Sequence, residues 1–340
     1  MHVRSRRKKP KTLPLVMSIF ALAVILAGLL LIHRWEVREE ARRAELVEAQ
    51  SQDEVSENQV RYQGKWYKEN PNIEKILLIG VDKFASQTSL NEENFRNDQQ
   101  ADFLALMLLN RIDGSYRVLF LNRDTMADVP LLDVNGKVYD TRQMQLALAH
   151  TYGNGEENSC RNTVQAVSNL LYGVKIDHYV SMTMDAVQLL NDRVGGVTVY
   201  VEDDFSAIDP TIVQGRDVTL RGEHALTFVR ARMGMDEPTN LARMERQRVY
   251  LKALRQKALT CISHDESFAL DTLLELSENM ASDCSIEALA VYFDAVSRNG
   301  EPEVLTLDGE AKVGEQYMEY YVDEETLQAA IIDMFYTPVD

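Results

Sequence analysis

The run TLPLVMSIFALAVILAGLLLI, Thr12–Ile32, carries no charge over about twenty positions. As a helix it is long enough to cross a hydrocarbon core of about 30 Å. Six Lys and Arg between Arg4 and Lys11 precede it, and the mixed-sign stretch HRWEVREEARR follows. The basic flank is expected to stay in the cytoplasm, which puts the rest of the chain outside. The apolar run exceeds a typical signal-peptide core and lacks a clean small-x-small site, so an uncleaved signal anchor is preferred to a cleaved leader. Trp35 suits the interface. The expected organisation is a cytoplasmic basic tail (1–11), a single-pass transmembrane anchor (12–33), an extracellular stalk or linker (34–71) and a folded domain (72–340).

Charge narrows the choice of partners. The chain has a formal net charge of −17. Residues 1–43 hold ten Lys/Arg and three Asp/Glu, which leaves 26 basic and 50 acidic residues, or −24, in the part expected outside. An acidic body argues against general nucleic-acid binding. Yet Arg216–Lys257 holds ten basic and five acidic residues. Arg230, Arg232, Arg243, Arg246 and Arg248 crowd FVRARMGMDEPTNLARMERQR within it. Two guanidiniums about 5 Å apart repel by roughly 3 kcal/mol at an effective dielectric near 20. Either the protein's own carboxylates or an anionic ligand must offset that. Cys160, Cys261 and Cys284 permit one disulfide and match no metal spacing, and the six histidines are scattered, so no zinc site is expected.

Periodicity places these residues. KILLIGVD reads as a buried strand, and DFLALMLLNRI and YRVLFLNRDT around Asp-Gly-Ser read as an antiparallel hairpin. TRQMQLALAHTYG, SCRNTVQAVSNLLYG, DAVQLLNDRVGG, RGEHALTFVRAR and NLARMERQRVYLKALRQKA read as helices. HYVSMTM and VTVYV read as strands. The tail adds two helices, two strands and a last helix. The expected class is α/β (α+β), a mixed central sheet containing an antiparallel hairpin, with helices on both faces.

The hairpin brings Asp102 and Arg123 to one end of the sheet, with Asp124 beside Arg123. If Asp82 shares that end, two carboxylates on rigid strands suit Mg²⁺; otherwise the group is a set of local salt bridges. Arg243, Arg246 and Gln247 share a helix face. Arg230 and Arg232, two residues apart, are expected to splay from the turn that ends their helix. Guanidinium forks match phosphate oxygens in pairs, and pairing with the chain's own acids remains the alternative. No GxSxG, Walker, GxGxxG or HExxH pattern occurs.

Together LLIGVD, ADFLALMLLN, FLNRDTMADVP, LLYGVKIDHYVSMTMDAV, VGGVTVYV, LRGEHALTFVRAR and RMERQ resemble, in order and over residues 75–259, the LytR-CpsA-Psr family of bacterial cell-envelope proteins. The resemblance implies an α/β/α-type sandwich and binding of polyprenyl pyrophosphate lipids in an apolar tunnel. It implies Mg²⁺-dependent transfer of a glycopolymer (teichoic acid, capsule or similar), with its phosphate, to peptidoglycan. By resemblance Asp82 and Asp102 are metal-associated. Arg123, Arg230, Arg232 and Arg243 bind pyrophosphate with the amide of Gln247, and Asp124 orients Arg123. Asp102 is either a metal ligand or a base toward the acceptor hydroxyl. Members often have an arginine where this chain has Gln100, and Arg96 or the loop around it is a possible substitute. A non-catalytic protein binding lipid-linked anions and a lipid pyrophosphate hydrolase remain alternatives, and residues 260–340 receive no role.

Overall fold

The structure, a computed structural model, describes residues 59–84, 96–231, 239–265, 267–314 and 317–339. The expected tail and anchor, and Arg232, lie outside the described residues. Among the described residues no helix is long and apolar enough to cross a membrane.

The folded part begins earlier than the sequence suggests. Strands β1 (Gln59–Tyr62) and β2 (Lys65–Glu69) form a hairpin inside the segment expected to be linker. The chain then runs through β3 (Ile73–Val81), β4 (Ala101–Asn110), β5 (Tyr116–Phe120), β6 (Met126–Leu132) and β7 (Val138–Gln145). Helix α1 (Glu157–Leu170), β8 (His178–Thr183), α2 (Met184–Arg193), β9 (Val197–Tyr200) and β10 (Asp217–Leu220) follow. Next come α3 (Glu223–Arg230), α4 (Asn240–His264), α5 (Phe268–Leu276), β11 (Met280–Ser282) and α6 (Ile286–Arg298). The last elements are β12 (Glu303–Thr306), β13 (Gly309–Val313), β14 (Met318–Val322), α7 (Glu324–Phe335) and β15 (Tyr336–Pro338). Strand β15 returns to pair antiparallel with β2. This long-range pairing supplies hydrogen-bond partners to a polar segment that carries little strand signal of its own.

The central sheet has the order β11-β8-β3-β4-β5-β12. The β3–β4 and β4–β5 pairs are antiparallel, whereas β8 joins β3 in parallel and β12 joins β5 in parallel. Leu77, Ile79 and Val81 of β3 pack with Ala166 and Val167 of α1 and Leu327 and Ile331 of α7. Ile76 of the same strand faces the other way, toward Tyr292 and Ala295 of α6. With both faces covered, alternate residues must all be apolar, which is why KILLIGV reads as an unbroken run. Val197, Val199, Phe228, Tyr250 and Leu254 build a separate core that joins the β9–β10 pair to α3 and α4. This second core fixes the two arginine-bearing helices.

One expected helix is absent. In TRQMQLALAHTYG, residues up to Gln145 extend as β7 against β6, and only Leu146–Thr151 coils, as a 3-10 turn. The backbone N–H groups of Leu146 and Ala147 donate to the carbonyls of Thr125 and Arg123, at 2.8 and 2.9 Å. In a helix over 141–153 those donors would bond to the carbonyls of Arg142 and Gln143; committed to another segment, they cannot. The fully buried Leu146, Ala147 and Ala149 also leave this turn no polar face.

Candidate active site

The β3–β4 pairing carries one irregularity. Gly80 opposes Phe103, but Val81 opposes Ala101. Asp102 is therefore the extra residue of a bulge, the device by which a strand re-aims one side chain. A Cβ on Gly80 would lie 2.8 Å from Cβ of Phe103, so the strands approach closely only because that residue is glycine. Asp82 follows the last residue of β3, and Arg123 and Asp124 lie just past β5. The hairpin thus delivers both aspartates and Arg123 to one end of the sheet.

Helices α3 and α4 bring the other guanidiniums. Arg230, the last residue of α3, pairs with both Asp82 oxygens at 2.9 and 3.0 Å. Arg243, in the first turn of α4, reaches Asp102 Oδ1 at 3.4 Å and the Asp102 carbonyl at 3.2 Å. Arg123 donates one Nη to Asp102 and the other to Gln100 Oε1. Its Nε lies 3.6 Å from Asp124 Oδ1. Asp124 is buried and also accepts from Gln145 Nε2 at 3.2 Å. One carboxylate, Asp102, is thus shared by two guanidiniums from different elements. The arginines are held by aspartates, and phosphate oxygens would compete for the same forks.

The remaining arginines of the cluster have structural partners. Arg246 Nη1 meets Asp203 Oδ2 at 2.8 Å, and its other nitrogens donate to the carbonyls of Phe228 and Ala231. Gln247 Nε2 donates to the Val229 carbonyl at 3.2 Å. Through this bond the amide expected at the ligand site closes the end of α3, where carbonyls lack intrahelical partners. Arg246 and Gln247 so fix the turn from which Arg230 projects. Arg248 pairs with Glu245 on its own helix.

A cavity of about 280 Å³ opens beside these pairs, lined by Asp82, Lys83, Asp98, Gln99, Gln100 and Asp102. Its donors are carboxylate and amide oxygens, hard ligands that suit Mg²⁺. Among the described residues no three carboxylates of this cavity place ligand atoms within 4.8 Å of one another. The protein therefore fits one or two carboxylate ligands to Mg²⁺, with water and phosphate completing the shell. Arg96 does not line the cavity: it stacks on Tyr152, 4.6 Å from the ring centroid, and donates to Thr151 Oγ1 at 3.3 Å. Gln100 itself is a neutral partner for Arg123 rather than a further cation.

Several residues that shape the site carry no sequence motif. Asp98 adds a third carboxylate to the cavity, and among the described residues no cationic side chain pairs with it. Asn240 Nδ2 donates to Asn122 Oδ1 at 2.6 Å, and Asn240 Oδ1 accepts from Arg243 Nη2 at 2.5 Å. This relay ties the start of α4 to the turn after β5. His150 sits fully buried beneath the cavity, its Nδ1 3.0 Å from the Gln99 carbonyl. Burial pulls its pKa down to about 4, against a weaker opposing pull from that carbonyl, so the ring is neutral and Nδ1–H donates to Gln99.

The order of elements and the place of this site can be set beside known proteins. The LytR_cpsA_psr family pattern matches residues 37–334. The chain belongs to this family. The match includes most of the C-terminal region, beyond the residues that carried the resemblance in the sequence. A relative in Enterococcus faecalis, named polyisoprenyl-teichoic acid–peptidoglycan teichoic acid transferase TagU, is 28% identical over 254 residues, covering 74% of this chain and 75% of its own. Among solved structures, TagT bound to LIIa-WTA superposes with a TM-score of 0.58 at 20% identity, over 78% of this chain and 90% of that one. Protein gbs0355 from Streptococcus agalactiae gives a TM-score of 0.62 at 21% identity, over 77% and 86% of the two chains. These two likenesses establish the LytR_cpsA_psr fold.

Proposed function

We propose that this chain is a membrane-anchored, exported phosphotransferase. It moves a glycopolymer of the teichoic acid or capsule type, with its phosphate, from a polyprenyl pyrophosphate carrier to peptidoglycan. One observation carries the reading: guanidiniums from three separate elements, Arg123, Arg230 and Arg243, meet the carboxylates of one cavity at one end of the sheet. The TagU relative's name agrees with it. Arg232, outside the described residues, is the fourth cation of the proposed set. The uncharged run at 12–33 is the proposed anchor, which keeps the site outside and near its lipid substrate.

In the reaction the acceptor hydroxyl attacks the phosphorus attached to the glycan, and the bond to the lipid phosphate breaks. Arg123 and Arg243 release Asp102 and turn their forks to pyrophosphate oxygens, and Arg230 does the same from Asp82. Charge that develops on the departing lipid phosphate is stabilised by these fixed cations, the main protein contribution in phosphoryl transfer. Asp124 and the Asn122–Asn240 relay keep two of the forks aimed. In this reading the hydroxyl proton goes to Asp102 or to Asp98, the cavity carboxylate without a cationic partner among the described residues. A Mg²⁺ ion held by Asp82 and Asp102 would supply further neutralisation of the phosphates.

The test combines the purified chain, Mg²⁺, a synthetic lipid-linked glycan and a peptidoglycan oligomer. A covalent glycan–peptidoglycan product is expected. Phosphoglycan released to water instead would make the chain a hydrolase, and tight binding with neither product would make it a binding protein.

A further inference from the structure

A second group of reactive side chains lies at the opposite end of the central sheet. There His178 opens β8, while Asp283 and Cys284 form the link from β11 to α6. One imidazole nitrogen, one carboxylate oxygen and one sulfur from these residues all lie within 4.8 Å of one another. No other such trio occurs among the described residues.

The imidazole is held in a telling way. Its Nδ1 lies 3.4 Å from Asp283 Oδ1, yet it is buried and makes no hydrogen bond. Its Nε2 faces Glu74 Oε1 at 3.6 Å. Glu74 is itself fixed, accepting the Tyr292 hydroxyl at 2.7 Å and pairing with Arg111 Nε at 3.3 Å. Glu74 stands just beyond hydrogen-bond distance of Nε2, and a small side-chain shift would let it take that N–H and leave the Nδ1 lone pair for a metal, the usual arrangement behind a metal-bound histidine. A simple ion pair explains less. A protonated ring would be expected to direct Nδ1–H at Asp283 as a hydrogen bond, and a thiol has no part in such a pair.

The link itself is braced. Asp283 Oδ1 accepts from the Tyr179 N–H at 2.9 Å. Ser282 Oγ donates to the Tyr179 carbonyl at 2.8 Å and accepts from the Cys284 N–H at 3.0 Å. Cys284 is a free thiol.

We propose that His178 Nδ1, the Asp283 carboxylate and Cys284 Sγ bind one zinc ion, with water as a fourth ligand. Tetrahedral zinc with bonds of about 2.0–2.3 Å sets its ligand atoms roughly 3.3–3.8 Å apart. The cluster therefore needs adjustments on the order of 1 Å, within the reach of side-chain rotation. Zinc uptake replaces the Cys284 thiol proton by a Zn–S bond and releases that proton to solvent. The thiolate and Asp283 balance the two charges of the ion, while Arg111 balances Glu74. Nitrogen and sulfur donors select zinc over Mg²⁺, so the two ends of the sheet do not compete for one ion. The bound ion would fasten the β11–α6 link to β8.

The full-length chain, stripped with a chelator and held in excess Mg²⁺, is titrated with Zn²⁺, and a separate zinc-free sample with Co²⁺. One equivalent per chain is expected, with a thiolate-to-cobalt charge-transfer band. Cys284→Ser should remove the band and His178→Ala most of the zinc uptake, whereas Asp98→Asn should keep both. Glu74→Gln should weaken zinc binding by about 10–100-fold. Absence of stoichiometric uptake by the wild-type chain overturns the proposal. So does uptake unchanged in Cys284→Ser and His178→Ala. Neither result bears on transfer at the other end of the sheet.

Discussion

The two ends of the central sheet use charge in different ways. At the Asp82–Asp102 end, carboxylates are matched by guanidiniums from three elements. At the His178 end, a carboxylate, a thiol and an imidazole nitrogen face one another, and the guanidinium of Arg111 is engaged by Glu74. The first end offers forked donors and hard oxygens, which suit phosphate and Mg²⁺. The second offers softer, convergent lone pairs. Two histidines repeat the contrast: His150 spends Nδ1–H on a backbone carbonyl beside the cavity, while His178 leaves Nδ1 without a hydrogen bond. One scaffold thus separates two chemistries by distance along its strands.

The strongest way to break this comparison is Arg123→Ala. It removes the guanidinium that bridges Asp102 and Gln100, and the transfer rate should fall by about 100–1000-fold, as for loss of a preorganised donor. Zinc uptake at the other end should not change. Unaltered lipid-pyrophosphate affinity and rate in this variant would disprove the site assignment. Chelation of Mg²⁺ should likewise suppress transfer, with recovery on adding Mg²⁺ back; full activity in chelator would remove the metal from the reaction.

His150 gives a sharper test through pH. Its folded pKa, about 4, lies below the unfolded value of 6.5, so the unfolded chain takes up the proton first as pH falls. Its contribution is full above about pH 6.5 and is lost progressively down to about pH 4, amounting to about 3 kcal/mol. Urea unfolding of the wild type and of His150→Gln at pH 7 and 4.5 should show a much shallower acid loss in the variant. Equal slopes would mean that His150 is not the neutral anchor of the Gln99 segment.

Smaller effects are expected from the relay. Asn240→Ala frees Arg243 without removing it, and should raise KM for the lipid substrate by about tenfold, the loss of roughly one hydrogen bond to a charged group. Asn240→Asp should restore part of this, because it keeps an acceptor for Arg243. An unchanged KM in Asn240→Ala would show that α4 needs no such tie to β5.

Much of the frame was legible in residues 73–230. Long apolar runs marked β3 and the β4–β5 hairpin, and periodic segments that stop at glycine marked α1 and α2, although the Ser159 expected as the cap of α1 lies inside that helix. The misreadings share one cause. Thr141–Gly153 has helical spacing but spends the donors of Leu146 and Ala147 on Thr125 and Arg123, and the β1–β2 hairpin at residues 59–69 is tied into the fold by β15 from the far end of the chain. Gln247 faces the same side of α4 as Arg243, and its Nε2 also closes the end of α3, a contact local pattern does not show. Local pattern does not record which distant group will take a donor.

The sequence alone determined the apolar run at 12–33, the acidic body, the core strands and the arginine-rich stretch, because each depends on neighbours within a few residues. Only the tertiary structure decided which arginines face aspartates of the cavity and which cap a helix. It alone made Asp102 the bulged residue, and it alone set His178 beside Cys284. Those outcomes depend on strand register and helix packing between segments as far as 148 residues apart, and a one-residue slip in either would turn the same side chains elsewhere.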